Sequence, residues 1–139
     1  MSGALRTTPL HEEHVRLGAR MIPFAGYAMP VQYPSGIQAE HWVVRRSAGL
    51  FDVSHMGEVW IEGPEALALV QHVTVNDASA LEPGRAQYSA LCREDGGILD
   101  DLIVYQVPEG GFLLVENAVN RERDVQWIRE HQRGFDATV

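Results

Sequence analysis

Cysteine is nearly missing. The 139 residues contain one, Cys92, so no internal disulfide can form. Its neighbours Leu91 and Arg93 give no sign of thiol activation, and a buried, inert thiol is the expectation. Lysine is absent altogether: all 11 basic residues are arginine, set against 19 acidic ones for a net charge of −8. So acidic a domain repels phosphate backbones, which argues against nucleic acid as a partner. No apolar run approaches the length of a membrane span, so no membrane partner is expected. The opening residues Met-Ser-Gly-Ala-Leu-Arg lack the apolar stretch of a signal peptide, and a cytoplasmic location follows as the expectation. There is no G-x-S-x-G elbow, and Gly96-Gly97 does not lead into a helix, so no phosphate-cradling loop is present.

What is there reads as a globular chain. Hydrophobic residues make up 45%, enough for a core of one domain's size. Pro9 and Gly18 bracket a short helix over 10–18 with Thr8 as its cap, and Met21 to Phe24 is a short apolar segment. Residues 25–36, with two Gly and two Pro, read as loop. A helix over 37–47 places Ile37, His41 and Val44 on one face, and Leu50 to Val53 reads as a strand. Residues 58–62 alternate, with Val59 and Ile61 on one side and Trp60 on the other. Pro64-Glu65 opens a helix with a buried stripe of Leu67, Val70 and Val73, and residues 76–85 read as loop. Strands over 87–92, 98–107 and 112–115 follow, the first two joined by an Asp95-Gly96-Gly97 turn. Asn120 caps a last helix, and Phe135 to Val139 begins a further strand. The pattern is α+β, a mostly antiparallel sheet with packed helices. It is expected to divide into an N-terminal segment of helices and loop, 1–48, and an α+β portion, 49–139, incomplete at its C-terminal end.

Three stretches invite chemistry. Asp100 and Asp101 are neighbours on one strand, so their side chains leave opposite faces of the sheet. A carboxylate inside a core costs several kcal/mol unless compensated, so at least one of them has a purpose. It either anchors the adjacent turn or meets a polar ligand. Asp52, Ser54 and His55 suggest a hydrolase, yet in an extended segment Asp52 and Ser54 face one way and His55 the other, so they form no relay. Local bonds to the backbone account for them better. His11 and His14 lie three apart, not four as in zinc proteases, and suit an exposed helix face; with one cysteine and scattered histidines no metal site is expected.

Four stretches carry a family resemblance: Arg6-Thr7-Thr8-Pro9-Leu10, Phe24 to Tyr33, Gly49 to Gly57 (G-L-F-D-V-S-H-M-G) and Glu94 to Leu102 (E-D-G-G-I-L-D-D-L). In order and spacing they resemble the start of the glycine-cleavage T-protein family of folate-dependent aminomethyltransferases, from about Leu5 onward. Tyr27 stands where that family often has Trp, which keeps an aromatic there.

The resemblance implies the first part of the folate-binding aminomethyltransferase fold. It implies transfer of a one-carbon unit, in glycine catabolism and one-carbon metabolism, from the aminomethyl-lipoyl arm of the H-protein to tetrahydrofolate, with release of ammonia. It places the family's key carboxylate at Asp101, and folate-pocket positions at Met56, Tyr88 and Val115, with Asn117 a further candidate. Family members are more than twice as long, with three domains around a central funnel, so this chain is expected to be truncated, inactive alone and prone to self-association through uncovered apolar surface. A non-catalytic folate-binding or protein-interaction module of the same fold is the alternative expectation.

Overall fold

The computed structural model describes residues 4–139. The chain forms two compact units, Met1–His55 and Met56–Val139; the segment from Gly49 to His55 groups with the first.

In the first unit, α1 (His11–Arg16) leads into a hairpin of β1 (Arg20–Phe24) and β2 (Tyr27–Gln32), followed by α2 (Ile37–Arg46). β1 takes up the expected apolar segment, but β2 falls where loop was expected. The hairpin's turn needs only two residues, Ala25 and Gly26, both at positive φ (48° and 81°), the geometry that matches strand twist. Ala is a rare choice there, and Pro30 reads as a strand breaker, so the local signal is poor. Arg6 completes the hairpin: its N–H donates to the Gly26 carbonyl, its own carbonyl accepts from Ala28, and its guanidinium lies 4.5 Å from the Tyr27 ring centroid. Two further expectations fail. Leu50 to Val53 forms no strand. The stripe expected on α2 is not buried, for no residue of that helix is.

The second unit is an antiparallel sheet of β3 (Gly57–Ile61), β4 (Ala86–Cys92), β5 (Ile98–Gln106) and β6 (Phe112–Glu116), in the order β3-β6-β5-β4. Two helices, α3 (Ala66–Val73) and α4 (Arg121–His131), complete it, and the α+β expectation holds. Alternation decides which side chains enter the core: Val59, Ile61, Leu91, Leu102, Val104, Phe112 and Leu114 pack with Leu69, Val70 and Val73 of α3 and Ile128 of α4. Leu67, expected in the stripe of α3, is 41% exposed, and Leu69 takes the buried place. Cys92 is half-buried and unbridged. Of the strand expected over 135–139, only a single bridge forms, Thr138 to Glu62.

The turn at 108–111 fixes how β5 returns as β6. Gly111 has φ +83°, and a Cβ there would lie 2.8 Å from the Ile61 carbonyl oxygen. Gly111→Ala should therefore cost about 2 kcal/mol, through strain and a backbone clash. Urea unfolding checks this, and an unchanged midpoint would contradict it. Among the described residues no helix is long and apolar enough to cross a membrane.

Candidate active site

The side of the sheet away from α3 and α4 is open. Strand register lines its residues into rows: Trp60, Leu113, Tyr105 and Ala86 in one, Glu58, Val115, Ile103 and Tyr88 in the next. Tyr88 is 65% exposed, Trp60 48%, Tyr105 38% and Ile103 37%. Such contiguous apolar and aromatic surface is unusual on a solvated face.

Asp101 stands at one end of these rows, opposite Ala90 on β4, and is exposed. Its carboxylate is held from two sides. The Tyr88 hydroxyl donates to Oδ2 at 2.9 Å, and the Asn117 amide approaches Oδ1 at 3.3 Å and the Asp101 carbonyl at 3.0 Å. The bond to Asp101 raises the pKa of the Tyr88 hydroxyl. Three candidate residues thus meet: Asp101, Tyr88 and Asn117. Val115 shares their face, beside Ile103, and Met56 lies half-buried just before β3. Two shallow clefts, of about 460 Å³ (Pro64, Leu67, Gln71, Ser79) and 400 Å³ (Arg93, Trp127, His131), lie away from this group.

Asp100, one residue earlier, points into the core and is 7% exposed. Neither Asp100 nor Asp101 anchors the neighbouring turn. Asp95 does so, its Oδ1 accepting from the Gly97 N–H at 2.9 Å and from Arg93 at 3.2 Å. Asp100 Oδ1 instead accepts from the side-chain amides of Asn117 (3.1 Å) and Asn120 (2.9 Å). Asn120 was expected to cap α4; it precedes that helix, but its side chain makes no cap bond.

Close by lie two acids not expected from the sequence as site residues, Glu116 and Asp124, both fully buried. Burial, then the charges of Asp124 and Asp100, push Glu116 up to about 8. Burial, then the hydrogen bond and charge of Asp100, push Asp124 up to about 7, against the lowering effect of Arg123. Burial also acts to raise Asp100, but bonds from Asp124, Asn117 and Asn120 outweigh it and its pKa is lowered. A signal existed: Glu116 takes the inward position after Phe112 and Leu114 in the β6 alternation, and Asp124 lies one helical turn before Ile128.

In the first unit, His14 is buried, not on an exposed helix face; His11 is half-buried. One His14 ring nitrogen meets Asp52 Oδ2 at 2.8 Å and the other the Tyr33 hydroxyl at 2.8 Å. Burial acts to raise the Asp52 carboxyl, but hydrogen bonds from His14 and the Ser54 N–H outweigh it and hold it well below the usual carboxylate range. The Asp52-Val53-Ser54-His55 stretch is therefore structural, with His55 turned aside against the edges of Phe24 and Tyr27. His14→Ala leaves the Asp52 side chain, 1% exposed, without its partner. It should cost about 3 kcal/mol in denaturant unfolding near neutral pH, and a loss below 1 kcal/mol would contradict a load on this pair. The sign follows from the depressed folded value: the Asp52 contribution is present above its ordinary value of 3.8 and is lost only as pH falls into strong acid.

The family pattern described as GCVT N-terminal domain matches residues 10–139. The chain belongs to the GCVT N-terminal domain family. Its relatives include the aminomethyltransferase of Deinococcus deserti, 54% identical over 136 residues, which cover 98% of this chain and 38% of that protein. The aminomethyltransferase of Thermotoga maritima is 50% identical over 135 residues, 97% of this chain and 37% of the relative. The crystal structure of glycine cleavage system aminomethyltransferase T from Bartonella henselae superimposes with a TM-score of 0.91 at 42% identity, over 96% of this chain and 37% of that one. The chain thus spans somewhat over a third of the length of these relatives, and matches the N-terminal domain of the family.

Proposed function

We propose that this chain supplies the carboxylate-bearing face of a tetrahydrofolate-dependent aminomethyltransferase of the glycine cleavage system. The one-carbon unit comes from the aminomethyl group on the lipoyl arm of an H-protein. It ends on tetrahydrofolate, with ammonia and dihydrolipoyl H-protein as the other products. A single observation carries the reading: Asp101, clamped by Tyr88 and Asn117, overlooks an open apolar face with Ile103 and Val115 beside it. The arrangement fits the substrate's chemistry. A flat ring system has an apolar surface to lie on, and an amine nitrogen has one charged acceptor beside it.

The residues have separable tasks. Ile103 and Val115 provide apolar contact, and Tyr88 contributes ring surface and fixes Asp101. The folate amine N10 must attack an electrophilic, iminium-like carbon. Asp101 orients that amine and stabilises the positive charge that builds as it attacks; accepting its proton is a second task the same group can perform. The chain alone does not complete the reaction, because most of the pocket wall a ligand needs lies outside this one open face.

Titrating the isotopically labelled chain with tetrahydrofolate tests the reading. Chemical-shift changes should gather on Tyr88, Asp101, Ile103, Val115 and Asn117. Changes confined to the clefts around Gln71 or Trp127, or none at millimolar folate, would sink it.

A further inference from the structure

Strand alternation forbids Asp100 from touching anything bound on the open face, yet it is buried at 7% exposure with an ionised carboxylate's demands. Its surroundings show what occupies it. Two side-chain amides converge on one oxygen, Oδ1: Asn117 at 3.1 Å and Asn120 at 2.9 Å. Both amides come from the segment that joins β6 to α4, and that segment is closed by the Asn117 carbonyl accepting from the N–H groups of Asn120 (3.0 Å) and Arg121 (3.1 Å). Asn117 then reaches round to the other face. The same Nδ2 that meets Asp100 lies 3.0 Å from the Asp101 carbonyl and 3.3 Å from Asp101 Oδ1.

We propose that Asp100 is a positioning residue: from beneath the sheet it holds the Asn117 amide, and through that amide it fixes the Asp101 carboxylate over the open face. The inference rests on the reading of Asp101 as the working carboxylate. An exposed aspartate on a strand ordinarily samples several rotamers. Here Tyr88 holds Oδ2 and Asn117 holds Oδ1, so both oxygens have assigned directions before any substrate arrives. Such preorganisation is what an electrostatic role demands, since a group that must reorient during reaction loses most of its effect. Asn117 can hold this position only because its amide is anchored on the buried side; without Asp100 the remaining acceptors both belong to Asp101 itself. Asp124 acts one step further back. It is fully buried, is raised by burial and by the facing Asp100, and in its protonated form donates to Asp100. Asp100 thus keeps its charge inside the core while its neighbour gives it up. Among the described residues no group of three or more His, Cys, Asp or Glu side chains could hold a metal ion.

A merely structural Asp100 would close the turn before α4 and leave Asp101 indifferent to its removal. The two roles separate in solution. In the labelled chain, the Asn117 side-chain amide signals and the χ1 couplings of Asp101 are measured for the wild type, Asp100→Ala and Asn120→Ala. Wild type should show one Asp101 rotamer and a shifted Asn117 amide. Asp100→Ala should move that amide to free-amide values and turn the single Asp101 rotamer into an average, with the backbone signals of β4, β5 and β6 retained. Asn120 is half-exposed, and Asn120→Ala, which removes one of the two amide donors to Asp100, should shift the Asn117 amide in the same sense if Asp100→Ala fails to fold. An unmoved Asn117 amide and Asp101 rotamer in the folded variants would overturn the proposal. Failure of the underlying reading shows differently: Asp101→Asn would leave folate-dependent transfer intact in a complete enzyme while the Asp100 variants still release the Asp101 rotamer.

Discussion

Asp101→Asn should lower one-carbon transfer by about 10²- to 10⁴-fold, the range for removing a positioned acid–base or charge-stabilising group. The assay needs a complete pocket. We would place residues 5–139 in a chimera with the Deinococcus deserti relative, whose matched segment is 54% identical, and follow methylenetetrahydrofolate formation with H-protein. Asn is the right replacement because it keeps the size and one acceptor for Tyr88 while removing the charge. The fall should appear in kcat rather than in KM. Charge development belongs to the transition state, whereas the apolar contacts of Ile103 and Val115 serve ground and transition states alike. Val115→Asp should show the converse, a raised KM through an uncompensated charge on the folate face. Normal turnover in the Asp101→Asn chimera would remove the central carboxylate from the proposed function.

The second large effect concerns stability. Glu116 is fully buried, and its pKa is pushed from 4.5 up to about 8. Its two oxygens have no protein hydrogen-bond partner. A carboxyl whose folded value is raised binds its proton more tightly in the folded state. Stability is therefore highest below 4.5 for this group and falls as pH rises toward 8, where the full penalty is reached. The loss is of the order of 3 kcal/mol, since each unit of displacement corresponds to about 1.4 kcal/mol and charged neighbours share the effect. Those neighbours are Asp100 on β5 and Asp124 on α4, the latter itself paired with Arg123. Arg121 packs across Gly57, where a Cβ would come within 2.8 Å of its Cγ. Glu116→Gln keeps the shape and the buried polar head but cannot ionise. It should match wild type at pH 5 and exceed it by about 3 kcal/mol at pH 9 in urea unfolding. A shallower slope should persist in the variant, because Asp124, raised to about 7, also sheds its proton over this interval. Parallel stability curves for the two proteins between pH 5 and pH 9 would refute the buried-charge account.

The division between what the chain spells out and what folding adds follows physical lines. Local, periodic features are legible. Strand alternation placed Val59 and Ile61 inward and Trp60 outward, and the Asp95-Gly96-Gly97 turn is fixed by residues two positions apart. The opposition of Asp100 and Asp101 is equally local, a consequence of strand geometry. The resemblance carried by the four motif stretches named the family that the comparison then showed. Features that depend on a distant neighbour were not legible. The Arg20–Gln32 hairpin needs Arg6 alongside, and Ala25 at positive φ gives no warning of its turn. The burial of His14 needs Asp52, 38 residues on. No pattern within 98–107 says which of the two aspartates faces the core.

By itself, then, the order of residues determined that two adjacent acids leave a strand in opposite directions, because a pleated backbone allows nothing else. Tertiary structure decided which became the exposed group and which the buried anchor, by laying α3 and α4 over one side of the sheet only. It also brought Glu116 and Asp124 against Asp100, from the end of β6 and the first turn of α4. Burial strength and charge sharing depend on what surrounds a group in space, and a sequence carries those quantities only through the fold.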